Sequence, residues 1–189
     1  IKSFRPTYTI GKNIFLNLDN DLIFNFHLGM TGGWSHELIK HCHFRVYSHN
    51  RELFFRDVRK FGKMRITNEA DKTQKHIKEF DLLNKEYDII KHTDFLSKKI
   101  TNKRSVCSVL MNQAYFPGVG NYIKSEALYL SKIHPEEKWK NLNTKNIKNL
   151  IDNTQKIMHS SYKTGGAELR DFKNPFSTSL FKLKIYGKQ

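Results

Sequence analysis

From Asn112 to Asn121 the chain reads Asn-Gln-Ala-Tyr-Phe-Pro-Gly-Val-Gly-Asn. One helical pattern ends near Gln113 and another opens at Asn121, so Gly118 and Gly120 fall in the joint. Glycine lets a backbone turn sharply and approach a ligand closely. The start of the following helix offers free N–H groups, which favour an anion. Asn121 is a good cap, and its amide can donate to a phosphate. The same glycines would also serve an ordinary helix–helix turn. Charge favours the phosphate: 33 Lys and Arg stand against 18 Asp and Glu, a formal net charge of +15. An excess of that size suits a polyanionic partner. No basic amphipathic helix suits a membrane surface, and no apolar run approaches the roughly 20 residues of a membrane span.

Lys40-His41-Cys42-His43 invites a metal test. On a strand, His41 and His43 share a face while Cys42 points the other way, and no second ligand pair is near. The two cysteines, Cys42 and Cys107, form no C-x-x-C pair, so neither a zinc ribbon nor a cofactor is expected. Free thiols fit a reducing, intracellular compartment.

The elements that must position these groups differ along the chain. Phe15 and Leu16 lie in an apolar run, Asp19-Asn20-Asp21 gives a turn, and Leu22-Ile23-Phe24 opens a second run. Phe44 to Tyr47, the turn Ser48-His49-Asn50, and Leu53-Phe54-Phe55 make another hairpin pattern, and Lys63 to Ile66 alternates again. Helical spacing follows in 105–113, 122–130 and 144–158, with Thr144 as N-cap, while 71–104 reads as helix pieces and a connector. The fold class is therefore α+β: an antiparallel β-sandwich lobe over 1–75, then a helical lobe over 76–175. Phe181-Lys182-Leu183-Lys184-Ile185 alternates and predicts a strand that starts a C-terminal β element over 176–189.

Met111 to Leu128, followed by Ile133-His134-Pro135, resembles the helix–two-turn–helix of the formamidopyrimidine-DNA glycosylase / endonuclease VIII family. Gly11-Lys12, His27-Leu28-Gly29-Met30-Thr31-Gly32, Asp57-Val58-Arg59-Lys60-Phe61-Gly62, Gly165-Gly166 and Ile185-Tyr186-Gly187 fall in family order. The resemblance implies a base-excision-repair glycosylase with AP lyase activity on oxidised bases. Its partner would be double-stranded DNA holding an oxidised base or an abasic site, and the protein would act as a monomer wherever DNA is repaired. Met30, Arg59 and Phe61 would fill the hole left by a flipped nucleotide, whose extrusion costs a few kcal/mol. Lys12 would contact the phosphate beside the lesion and assist proton transfer. His41, Lys103, Arg104, Gly118, Gly120 and Asn121 would hold phosphates; His43, two residues on, competes with His41 for that match.

The chain departs from the family in four places. The family's nucleophile is an N-terminal proline followed by a glutamate, and these 189 residues contain neither. Pro6 is internal, so its nitrogen is an amide. The expectation is of a piece lacking both ends, including the family's zinc or zincless finger, and inactive alone. Cys107 stands where the family often has lysine. The interval Asp171–Tyr186 is short, which resembles the endonuclease VIII branch and its preference for oxidised pyrimidines. The alternative is a non-catalytic helix–two-turn–helix module that binds nucleic acid.

Overall fold

The computed structural model describes residues 7–18, 22–67, 77–101, 103–167, 169 and 180–188. The turn expected at Asp19-Asn20-Asp21, and all of the short interval up to residue 179, lie outside them. The described residues up to 67 fall in one compact unit, and 77–167 with 180–188 fall in another.

The first unit is two antiparallel sheets. Strands β1 (Tyr8–Ile10), β2 (Asn13–Asn17), β3 (Ile23–His27) and β7 (Lys63–Thr67) form one, in the order β1-β2-β3-β7. Strands β4 (Gly32–Ser35), β5 (Cys42–Ser48) and β6 (Arg51–Asp57) form the other, in the order β4-β6-β5. Alternating aromatics bring the sheets face to face. Phe24 stacks on Phe44 at 5.7 Å, and Phe26 meets the Trp34 ring edge-on at 5.6 Å. Phe26 is buried, and a fully buried ring of this size contributes about 2–3 kcal/mol. His49-Asn50 is the two-residue turn between β5 and β6.

The second unit is helical. Helix α1 (Ile89–Lys99) is capped by Asp88, whose side chain accepts from the Ile90 and Lys91 amides. Helix α2 (Val106–Met111) is capped by Ser105. Then come α3 (Asn121–Ser131) and the long α4 (Thr144–Lys163). Leu96, Val109, Leu110, Phe116, Val119, Ala127 and Leu150 form the centre of its core.

Three expectations are corrected. Asn143, not Thr144, caps α4, in a reciprocal box with Asn146. Gly120, not Asn121, is the N-cap of α3, and it brings no capping side chain. No strand forms over 181–185. The amides of Lys184, Ile185 and Tyr186, which a ladder would need, all donate to Glu126 instead. Phe181 and Tyr186 both lie against Tyr122.

Candidate nucleic-acid interface

In the β unit the expected residues gather around one carboxylate. Asp57 ends β6 and is 1% exposed. It accepts from the Thr31 hydroxyl at 2.6 Å, the Gly62 amide at 2.7 Å and the Arg59 amide at 3.3 Å. Burial alone would raise this carboxyl; hydrogen bonds from Thr31 and the Gly62, Arg59 and Lys60 amides outweigh it and hold it below its ordinary value. The backbone of Asp57 binds too. Its amide donates to the His41 carbonyl at 3.0 Å, and its carbonyl lies 3.0 Å from His43 Nε2, which donates to it.

Asp57 thus staples the loop carrying Met30 to the loop carrying Arg59 and Phe61. Both apolar side chains stay out in solvent, Met30 at 58% and Phe61 at 48% exposure. The Arg59 guanidinium lies 4.6 Å over the Phe61 ring, a cation–π contact. The loops touch backbone to backbone: a Cβ on Gly29 (φ +69°) would sit 2.7 Å from the Phe61 carbonyl carbon. Only glycine fits there.

Lys12 sits in the β1–β2 turn, half-buried, and burial lowers its pKa. His27 is lowered by burial first, then by the charges of Lys12 and Lys63. Its Nδ1 accepts the Gly29 amide at 3.1 Å, so the proton is on Nε2. A cleft of about 240 Å³ opens beside it, lined by Asn13, Asn25, His27, Phe61, Lys63 and Arg65. His41 is not on the strand, as its pairing with His43 required. It lies before β5 with φ +71°, so the shared-face geometry does not arise. Among the described residues, no three His, Cys, Asp or Glu side chains cluster to hold a metal.

In the helical unit, two turns join α2 to α3. The Tyr115 and Phe116 amides donate to the Asn112 carbonyl, and the Val119 amide donates to the Phe116 carbonyl. Gly118 takes φ +85°, which favours glycine. Gly120 is extended (φ −123°, ψ −176°), so its conformation does not demand glycine. Asn121 opens α3, and its Oδ1 accepts from Lys124 Nζ at 3.2 Å, which turns the amide's donor end away from the lysine. Lys103 and Arg104 lie on the approach to α2. The Arg104 carbonyl accepts from the Trp139 amide, and the Val106 amide donates to the Glu137 carbonyl.

Four residues with structural reach had no assigned role from sequence. Asp57 is one. Gln113 braces the joint: its Nε2 donates to the Met111 and Val119 carbonyls, and its Oε1 accepts the Gly118 amide at 3.1 Å. Glu126, 2% exposed, gathers three consecutive amides at 2.8–3.0 Å. His92 is fully buried. Glu126 and His92 each interrupt an apolar stripe at helical spacing, and that was the available signal.

The two antiparallel sheets and the helical unit define an α+β protein. Residues 86–173 match the model described as the formamidopyrimidine-DNA glycosylase H2TH domain, and residues 2–64 match that of the formamidopyrimidine-DNA glycosylase N-terminal domain. A formamidopyrimidine-DNA glycosylase of Listeria innocua is 32% identical, covering 94% of this chain and 68% of that protein. One of Rickettsia conorii is 30% identical, covering 95% and 68%. The crystal structure of MutM (Fpg) from Thermus thermophilus shares the fold, with a TM-score of 0.84 over 94% of this chain and 68% of that one, at 22% identity. A Lactococcus lactis Fpg mutant, solved in complex with Fapy-dG containing DNA, gives 0.80 over 94% and 67%, at 24% identity. The chain belongs to the formamidopyrimidine-DNA glycosylase family. These relatives bear the formamidopyrimidine name, so the leaning towards the endonuclease VIII branch gains no support from them.

Proposed function

We propose that this chain is the DNA-holding body of a base-excision-repair DNA glycosylase with AP lyase activity. The Asp57-centred pair of loops is the observation that carries this reading. It holds an apolar Met30 and a stacked Arg59–Phe61 pair exposed and close together, as a void-filling wedge requires. Lys12 contacts the phosphate beside the lesion and, with its pKa lowered by burial, exchanges a proton more readily near neutral pH than an exposed lysine. Gly118, Gly120 and Asn121, with Lys103, Arg104 and His41, hold flanking phosphates. The attacking amine belongs to an N-terminal proline that is not among these residues. It would form a Schiff base with the sugar, after which β-elimination cleaves the strand. The partner is duplex DNA with an oxidised base or abasic site, bound by a monomer.

Borohydride trapping tests the chemistry. The gene product from its own start codon should form a covalent adduct with lesion-bearing DNA; no adduct at any concentration sinks the enzyme reading. The 189-residue chain itself should bind DNA with strong salt dependence and show no turnover. The finer reading, a preference for oxidised pyrimidines, is supported only by the short interval before Tyr186. Competition between duplexes carrying an oxidised pyrimidine and a formamidopyrimidine decides it, and faster excision of the latter overturns it.

A further inference from the structure

His92 takes no part in the contacts proposed above, yet the helical core is built around it. It lies on α1, fully buried, with Phe80 stacked on its ring at 4.8 Å and Phe116 at 5.1 Å. Both ring nitrogens are engaged. Nε2 lies 2.8 Å from the Tyr115 carbonyl oxygen, and Nδ1 lies 2.7 Å from the Tyr87 hydroxyl. A carbonyl can only accept, so the proton is on Nε2. Nδ1 is then bare and accepts from Tyr87. One neutral tautomer satisfies both bonds. Burial pushes the His92 pKa down to about 4, so the ring stays neutral at ordinary pH. Burial, and then the charge of Asp88, push the Tyr87 hydroxyl up, so it keeps the proton it donates.

An apolar pair could fill this space, but it would leave the Tyr115 carbonyl without a donor. What a satisfied polar pair adds is a single geometry. His92 holds the backbone at Tyr115 and packs on the side chain of Phe116, at the near end of the joint. Gln113 grips Gly118 and Val119 at the far end. The intervening backbone is short, so holding both ends restricts where Gly118 and Asn121 can point.

We infer that His92, oriented by Tyr87, is a positioning residue for the phosphate-binding turn, fixing Tyr115 and Phe116 so that Gly118 and Asn121 present their donors in one arrangement. This rests on the reading that the turn holds a DNA phosphate.

The test measures binding of a fluorescent duplex by the 189-residue chain as a function of salt, well below each variant's melting temperature. The double variant His92→Leu with Tyr87→Phe keeps the volume but releases Tyr115. It should bind about tenfold more weakly than the parent at the same salt concentration. His92→Gln, which can still donate and accept, should recover affinity to within about threefold. Asn121→Ala tests the underlying reading and should also weaken binding. If the folded double variant binds like the parent while Asn121→Ala is weakened, the turn holds DNA and the positioning inference is wrong. If Asn121→Ala binds like the parent with an unchanged slope, the phosphate reading fails and the inference fails with it. Should the double variant not fold, Tyr87→Phe alone is expected to lose about threefold, and parental affinity there overturns the inference.

Discussion

The loops at the end of the sandwich and the α2–α3 joint solve one problem with opposite chemistry. Each must hold short loops still while leaving selected groups in solvent. The sandwich does so with a buried charge: Asp57 collects a hydroxyl and several amides from two loops. The α2–α3 joint does so with neutral groups, the Gln113 amide and the His92 imidazole. Loops splayed at the end of a sandwich have many backbone donors and no helix to satisfy them, so one anion with four lone-pair sites is efficient. A joint between helices sits against an apolar core, where an uncompensated charge would cost far more than a neutral donor–acceptor pair.

Removing the charge should separate the units most sharply. Asp57→Ala leaves the Gly62 amide and the Thr31 hydroxyl without their acceptor, while the Arg59 amide keeps Thr31 Oγ1, and should destabilise the sandwich by about 3 kcal/mol. Hydrogen exchange is the right measurement. Protection should fall at β3, β4 and β6 while amides of α3 and α4 stay as protected as before. Equal loss in both units would show that the carboxylate does not act locally.

Acid should probe the neutral side of the comparison. The folded His92 value, about 4, lies below its ordinary 6.5. A depressed value means that the unfolded chain takes up a proton that the folded chain refuses. The stability due to a neutral His92 is therefore complete above pH 6.5 and is lost progressively as pH falls to about 4, amounting to roughly 3 kcal/mol. Asp57 is also depressed, so its contribution holds through that window and is lost only as pH falls through its own lower value. Urea unfolding from pH 7 to 4 should show the loss in the parent and a flatter profile in His92→Gln. Identical profiles would contradict the neutral clamp.

How much of this was legible follows from what periodicity records. Hairpins and helices repeat, so β5–β6 and α4 stand out in the residue pattern, and the Gly118 joint stands out through its glycines. Tertiary hydrogen bonds leave no period. Asp57 reads as a turn residue beside Arg59, and nothing local says that it also reaches Thr31, 26 positions away. The segment 181–185 failed for the same reason: its alternation is that of a strand, but its amides are captured by Glu126, 58–60 positions back. The cap of α4 missed by one residue, because Asn143 and Thr144 are both good caps and only the reciprocal bond with Asn146 chooses.

A smaller effect sharpens the picture of the charged loops. Gly29 and Gly33 flank the same turn but differ in what surrounds them. Gly29 has φ +69°, and an added Cβ would meet the Phe61 carbonyl carbon at 2.7 Å; around Gly33 nothing lies within 4 Å. Gly29→Ala should therefore cost about 2 kcal/mol, from left-handed strain and forced separation of the loops. Gly33→Ala sits in β4 and should change stability by less than about 0.5 kcal/mol. Thermal melts of the two variants give the difference directly. If the loops matter because they hold Met30 beside Arg59 and Phe61, Gly29→Ala should also weaken binding to an abasic-site duplex more than to intact DNA, while Gly33→Ala leaves that ratio unchanged. An equal effect of Gly29→Ala on both duplexes would mean that the paired loops stabilise the sandwich without recognising the gap.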